Sequence, residues 1–205
     1  MYHLAPNMHP AEVRIGRLMI RAAQQSGVER IVYHSVLHPQ IKAMPHHWDK
    51  LLVEAALIES GVGWTILQPA PYVQNFTRPL DGVLRVAYRI DAPFSFVDLL
   101  DVGEAAATAL TTSAFDAGTY ELAGPAILTV VDVAATLGVL AESVEPSTWQ
   151  RTALAGGVSP EAIPRLLAMF RHYDAHGLVG NPAALNRLLG RAPTDPRTAL
   201  IRDLA

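Results

Sequence analysis

The triplet Ser26-Gly27-Val28 returns as Ser60-Gly61-Val62, and each time it closes a helical pattern and opens a strand pattern. The interval is about one βα unit, and no other feature of the chain restricts its fold as much. Helical solenoid repeats share this period, but residues 30–35 and 64–68 read as short buried strands, which argues against a solenoid. A first helix is expected from Pro10, a favoured first-turn residue, with Glu12 in its N-terminal turn. Val13, Leu18 and Ala22 supply its apolar stripe and Gly27 its left-handed stop. A second helix is expected from near Pro45 to Gly61, with Leu51, Leu52, Ala55 and Ile58 facing a sheet. Strands near 2–5, 30–35 and 64–68 are then joined by helical crossovers, which makes them parallel and right-handedly connected.

Past residue 75 the order changes. Residues 83–90 fit a strand or a short helix equally well. Asp101-x-x-Glu104 resembles a capping box and predicts a helix over 102–110, followed by a strand over 118–122. Thr129 with Asp132 caps a helix that ends near Gly138. The last third is helical: Ile163, Leu166, Leu167, Phe170 and Tyr173 share one face and read as core. Short helices start at Asn181-Pro182, stopping at Gly190, and at Asp195-Pro196. No low-complexity linker intervenes, so this region is expected to pack on the α/β part.

Half of the 205 residues are hydrophobic and 17% are charged, a globular balance, and a net charge of −3 gives no basis for nucleic-acid contact. The chain has no cysteine, hence no disulfide and no thiolate chemistry. No apolar run approaches the roughly 20 residues that span a bilayer, and residues 1–6 lack a charged segment followed by an apolar stretch. A soluble, cytoplasmic protein is the expectation.

Polar residues gather just past the strand ends, at His34-Ser35, at 46–50 and at 68–75, where parallel sheets bind ligands. His46 and Lys50 are one helical turn apart on one face, and Ser35 can meet them across the loop. Together they offer a hydroxyl donor, an imidazole and a fixed cation, a set able to polarise a carbonyl while a hydride arrives. Plainer roles compete. Lys50 can pair with Glu54 on a solvated helix face, His46 and His47 can be first-turn polar residues, and Ser35 a turn residue. Tyr72 and Asn75 can touch a ligand, or Tyr72 can pack on the C-terminal helices. Asp98 and Asp101 read as turn and cap residues. His34, His38, His46 and His47, like His172 and His176, lack carboxylate or cysteine partners in a recognised zinc spacing, so no metal site is expected.

Several segments, in their order and spacing, carry a resemblance: residues 27–35, 45–50, 64–69, Phe96-Val97-Asp98 with Asp101-Val102, 120–125 and 177–182. Over most of its length the chain resembles the NmrA-like branch of the atypical short-chain dehydrogenases/reductases. The resemblance implies that Lys50 stands where the superfamily's Tyr-x-x-x-Lys lysine holds the nicotinamide ribose, with His46 in place of the tyrosine. It aligns Ser35 approximately with the active-site serine and Pro69 with the proline beside which the nicotinamide amide docks. Pro6, Lys50, Pro69, Tyr72 and Asn75 are the implied cofactor-binding set. NADP(H) is implied ahead of NAD(H), although the segment that reads a ribose 2′-phosphate normally follows the family's second strand and has no counterpart here. The missing tyrosine fits quinone reductases and non-catalytic redox sensors about equally. The family also begins with a strand, a Gly-x-x-Gly-x-x-Gly turn and two βα units, whereas no Gly-x-Gly-x-x-Gly run occurs in this chain. A truncated or misassigned start is therefore expected, leaving residues 2–4 as the family's fourth strand with an open edge.

The expected architecture is α/β: a partial Rossmann-like parallel sheet lacking the N-terminal glycine-rich βα units, with a helical C-terminal substrate-side cap. Residues 1–125 form the C-terminal half of an NAD(P)-binding domain, and 126–205 a mainly helical cap packed on it. The expected function is an NAD(P)H-dependent oxidoreductase acting on a small quinone-like or conjugated carbonyl acceptor. In it Lys50 anchors the ribose, His46 or Ser35 assists proton delivery, and Pro69 backs the nicotinamide. A non-catalytic NAD(P)-sensing regulator and a fragment without independent activity are the alternatives. A small-molecule substrate is the expected partner, with no nucleic acid and no membrane; a homodimer stays open.

Overall fold

A computed structural model of the chain describes residues 1–76, 79 and 81–204. Its centre is a four-stranded parallel sheet made of β1 (Tyr2–His3), β2 (Arg30–His34), β3 (Gly63–Pro69) and β5 (Gly118–Leu122), in the order β1-β2-β3-β5. Register is continuous, with Tyr2 opposite Val32, His34 opposite Leu67, and Pro69 opposite Leu122. Alternation along β2 explains why its run is apolar throughout: successive side chains point to opposite faces, and both faces are covered. Ile31 and Tyr33 join Ile66, Val53, Leu57, Ile20 and Ala23 in the layer beneath α1 (Glu12–Gln25) and α2 (Pro45–Ile58). Val32 joins Leu67, Val102, Ala105, Ala109 and Leu122 on the opposite face, beneath α3 (Leu99–Thr111).

A second, two-stranded parallel sheet pairs β4 (Val83–Val86) with β6 (Leu140–Ser143). Residues 83–86 are thus a strand, the form that periodicity alone left open. Its partner β6 escaped detection because it is short and alternates weakly, with Leu140 71% exposed. The remaining helices are α4 (Val130–Leu137), α5 (Pro146–Ala155), α6 (Ile163–His176), α7 (Ala183–Leu189) and α8 (Pro196–Leu204). The Thr129–Asp132 capping box forms in full and Gly138 closes α4 in the left-handed conformation, as the sequence predicts. Among the described residues, no helix is long and apolar enough to cross a membrane.

Three local expectations fail, each because a tertiary partner outweighs local pattern. In α1 the buried line is Glu12, Gly16, Ile20 and Ala23, while Leu18 is exposed. Gly16 turns inward because a Cβ there would collide with the Val53 side chain, so the two helices meet where one has none. In α2 the buried face is His46, His47, Lys50, Val53, Glu54 and Leu57, and the predicted Ala55 and Ile58 face outward. In α3 the cap is Asp98, whose side chain accepts from the Leu100 N–H at 3.2 Å. Asp101 is instead turned inward, accepting from the Thr194 N–H at 2.6 Å and from Arg191 at 2.7 Å, which ties the α7–α8 connection to α3.

Gly177 closes α6 with φ +66°, and a Cβ there would run into the Pro93 carbonyl oxygen. Gly27 also has positive φ (+67°) but faces open space. Gly177→Ala is therefore expected to cost about 2–3 kcal/mol and Gly27→Ala about 1 kcal/mol. Urea midpoints compared at constant m-value check this ordering, and equal losses would count against the close approach.

Candidate functional site

β2 and β3 end side by side, so His34-Ser35 and Pro69 emerge at the same edge of the sheet, and α2 starts beside them with Pro45 in its first turn. A cavity of about 1310 Å³ opens there. Pro6, Ser35, His46, Lys50, Pro69, Tyr72 and Asn75 all line it, so the fold brings every candidate site residue to one place. Tyr88, Phe94, Phe96, Trp149, Phe170 and Tyr173 give the same cavity an aromatic lining. The stripe on α6 that reads as core in the sequence thus also forms a cavity wall, through Leu166, Phe170 and Tyr173.

Lys50 is only 5% exposed, and its partner is Glu12, not Glu54. Nζ donates to Glu12 Oε1 at 2.9 Å and to the His34 carbonyl at 3.4 Å. An ammonium has three N–H donors, so one is left. Glu12 is fully buried and also accepts from the Tyr33 hydroxyl at 3.4 Å. Its second oxygen lies 3.8 Å from His46 Nδ1, and neither atom has a hydrogen-bond partner. Burial, reinforced by Lys50, pushes the His46 pKa down to about 3, and burial pushes His47 down to about 4. Both rings are neutral at neutral pH. Glu54 accepts from the Ser35 hydroxyl and, at 3.0 and 3.1 Å, from Gln68 Nε2. Burial raises its pKa against the pull of those bonds.

A second cluster adjoins the first. His34 uses both ring nitrogens on tyrosines: Tyr2 at Nδ1, and Tyr72 at Nε2 at 2.6 Å. The loop carrying Tyr72 and Asn75 is pinned from behind. Gln74 donates to Asp98 at 2.7 Å and accepts from the Leu99 N–H at 3.1 Å, while Arg202 grips Asp98 with two bonds of 2.7 and 3.0 Å.

Sequence reasoning overlooked Glu12, Tyr2 and the bridging role of His34. For Glu12 a signal existed: it heads the line Glu12, Gly16, Ile20, Ala23, whose other members are small or apolar. Tyr2 and His34 meet only because β1 pairs with β2, and no spacing rule announces that contact.

A parallel sheet with helical crossovers on both faces, and a cavity at the carboxyl ends of its strands closed by a helical region, defines a Rossmann-like α/β protein. A model of the NmrA-like family matches residues 3–181, and the chain belongs to that family. Quinone oxidoreductase 2 of Escherichia coli (strain K12) is 26% identical over 190 residues, covering 87% of this chain and 66% of that protein. The curated relatives are longer, and the chain spans from 31% to 66% of their lengths. Among solved structures, an NADPH-dependent quinone oxidoreductase from Escherichia coli complexed with NADPH superposes with a TM-score of 0.85 at 20% identity, covering 100% of this chain and 76% of that one. The Citrobacter sp. triphenylmethane reductase complexed with NADP(H) superposes with a TM-score of 0.82 at 19% identity, covering 97% and 73%. At these identities the superpositions speak for the fold.

Proposed function

We propose that this chain works as an NAD(P)H-dependent oxidoreductase that reduces a small quinone-like acceptor, with NADP(H) ahead of NAD(H). The observation that carries the reading is Lys50: a buried ammonium, held by Glu12 at the wall of a strand-end cavity with aromatic lining, with one donor left. The curated relative named Quinone oxidoreductase 2, 26% identical over 190 residues, supports it. When bound, a reduced nicotinamide cofactor supplies the hydride.

The chain's own residues fit that end of the cofactor. The remaining Lys50 N–H suits a ribose hydroxyl, and the Glu12 carboxylate keeps the ammonium from swinging away. Pro69, Pro6, Tyr72 and Asn75, which line the same cavity, would hold the nicotinamide end. Tyr88, Trp149 and Phe170, backed by the fully buried Phe94 and Phe96, give a flat apolar acceptor a stacking surface and exclude water, which strengthens every polar contact inside. The Ser35 hydroxyl is donated to Glu54, so it supports the wall and is not aimed at an acceptor.

Calorimetric titration with NADPH tests the reading, followed by NADPH oxidation with a quinone. Micromolar binding is expected, weakened at least tenfold when Lys50 and Glu12 are replaced together (Lys50→Met with Glu12→Leu), a tenfold change being about 1.4 kcal/mol. A well-folded chain that binds no NADPH overturns the proposal. Binding without oxidation of any quinone tried would instead favour a sensor of the nicotinamide pool.

A further inference from the structure

Beside the Lys50 site stands a polar assembly whose imidazole and two phenol hydroxyls have no part in holding the ribose. Tyr2 on β1, His34 at the end of β2 and Tyr72 past the end of β3 stand next to one another, and all three line the cavity. The His34 ring is 6% exposed and lies between two phenols, with Tyr2 on Nδ1 and Tyr72 at 2.6 Å from Nε2. Burial and the nearby Lys50 push its pKa down to about 4, so the ring is neutral at neutral pH. A neutral imidazole carries one N–H and one acceptor nitrogen, so the tautomer sets which of two directions the chain runs. With Tyr2 donating to Nδ1, the Nε2–H donates to Tyr72, and the Tyr72 proton is free to point into the cavity. Among the described residues, no protein group other than His34 hydrogen-bonds to the Tyr72 hydroxyl.

We propose that Tyr2, His34 and Tyr72 form the proton relay of the reduction, with Tyr72 as the acid that protonates the acceptor oxygen. The inference rests on the oxidoreductase reading above and assigns to Tyr72 the role that the sequence suggests for His46 or Ser35. A quinone becomes a hydroquinone by taking up one hydride, which brings the electron pair, and one proton. In the relay, the proton leaves Tyr72 Oη for the acceptor oxygen as that oxygen gains charge. The Nε2 proton of His34 moves to Tyr72, the Tyr2 proton moves to Nδ1, and solvent reprotonates Tyr2. Both tyrosines are partly exposed while His34 is buried, so protons can enter and leave the wire at its two ends. Burial raises the pKa of Tyr72 above its ordinary value, which keeps the phenol in its acid form at neutral pH. His46 has no such route, because its Nδ1 faces the second Glu12 oxygen without a bond.

Two acceptors separate proton supply from hydride supply. A neutral quinone needs both, whereas crystal violet, a cationic triphenylmethane dye, becomes its neutral leuco form by taking up hydride alone. The quantity to measure is the ratio of kcat with the quinone to kcat with the dye, using NADPH and the full chain. Tyr72→Phe is expected to lower that ratio about 100-fold, the low end of what a positioned acid contributes. Tyr2→Phe is expected to lower it less, since it removes only the outer link. Both changes keep the aromatic ring and therefore the packing. In parallel, the ¹⁵N spectrum of His34 should show one protonated and one unprotonated ring nitrogen, with Nε2 shifted in Tyr72→Phe. A ratio that stays within about twofold of the unmodified protein in Tyr72→Phe overturns the relay and leaves the oxidoreductase reading standing. An unmodified protein that reduces neither acceptor overturns both. A His34 signal indifferent to Tyr72→Phe shows that the hydrogen-bonded chain is absent and overturns the relay by itself.

Discussion

Taking this protein from pH 7 toward pH 4 should unfold it cooperatively. His34, His46 and His47 are buried, with folded-state pKa values of about 4, 3 and 4 against 6.5 when exposed. Desolvation is the leading cause for all three: a charged imidazole loses its hydration in the core and finds no carboxylate within hydrogen-bonding distance. The sign follows from depressed values. The contribution of these rings is fully present above pH 6.5 and is lost progressively as the pH falls toward 4 and 3, because the unfolded chain binds the protons first. At about 1.4 kcal/mol per pKa unit, three such rings together withdraw on the order of 5–10 kcal/mol by pH 4. A typical domain has about 5–15 kcal/mol in all. Glu54 works in the opposite sense, since burial raises its pKa and its protonation in acid relieves that cost, but it is one group against three. Circular dichroism against pH should show Tm falling from about pH 6.5 downward, with a cooperative midpoint near pH 4–5. His47→Gln, which removes one of the three protonation sites, should move that midpoint to lower pH. A Tm that holds level down to pH 4 would contradict the buried neutral rings.

The second large effect lies in the Glu12–Lys50 pair. Lys50→Met leaves a fully buried carboxylate without its counter-ion, and Glu12→Leu leaves a buried ammonium. Breaking one side of such a pair typically costs about 3–5 kcal/mol, whereas replacing both partners with apolar groups of similar size is often close to neutral. The double substitution should therefore recover most of the stability that either single one loses, with a coupling of a few kcal/mol in a urea-unfolding cycle. Losses that simply add would show that the two groups do not depend on each other. The same double variant should fold and yet bind NADPH poorly, which separates the pair's structural part from its proposed work on the ribose.

The parallel sheet was readable in advance from particular residues. Ile31, Val32 and Tyr33 form an uninterrupted apolar run because both faces of β2 are covered, and the glycines at 27 and 61 mark where each helix gives way to a strand. Capping at Thr129 with Asp132, and the stop at Gly138, were equally legible, because each is a contact between residues close in sequence. The candidate residues Ser35, His46, Lys50, Pro69, Tyr72 and Asn75 could be gathered because strand ends in a parallel sheet converge on one edge.

What the sequence determined by itself, then, is the order and type of the central elements and the edge at which their polar ends meet, since short-range periodicity and caps encode both. The tertiary structure alone decided which face of each helix turned inward. Lys50 lies on the inward face of α2 because Glu12, 38 positions away, neutralises it there, and Gly16 lets the two helices approach. It likewise decided that His34 would stand between Tyr2 and Tyr72, which are 32 and 38 positions away. A buried charge or a doubly bonded imidazole is tolerated only where its partners already stand, and partners supplied by other strands and helices leave no trace in local pattern.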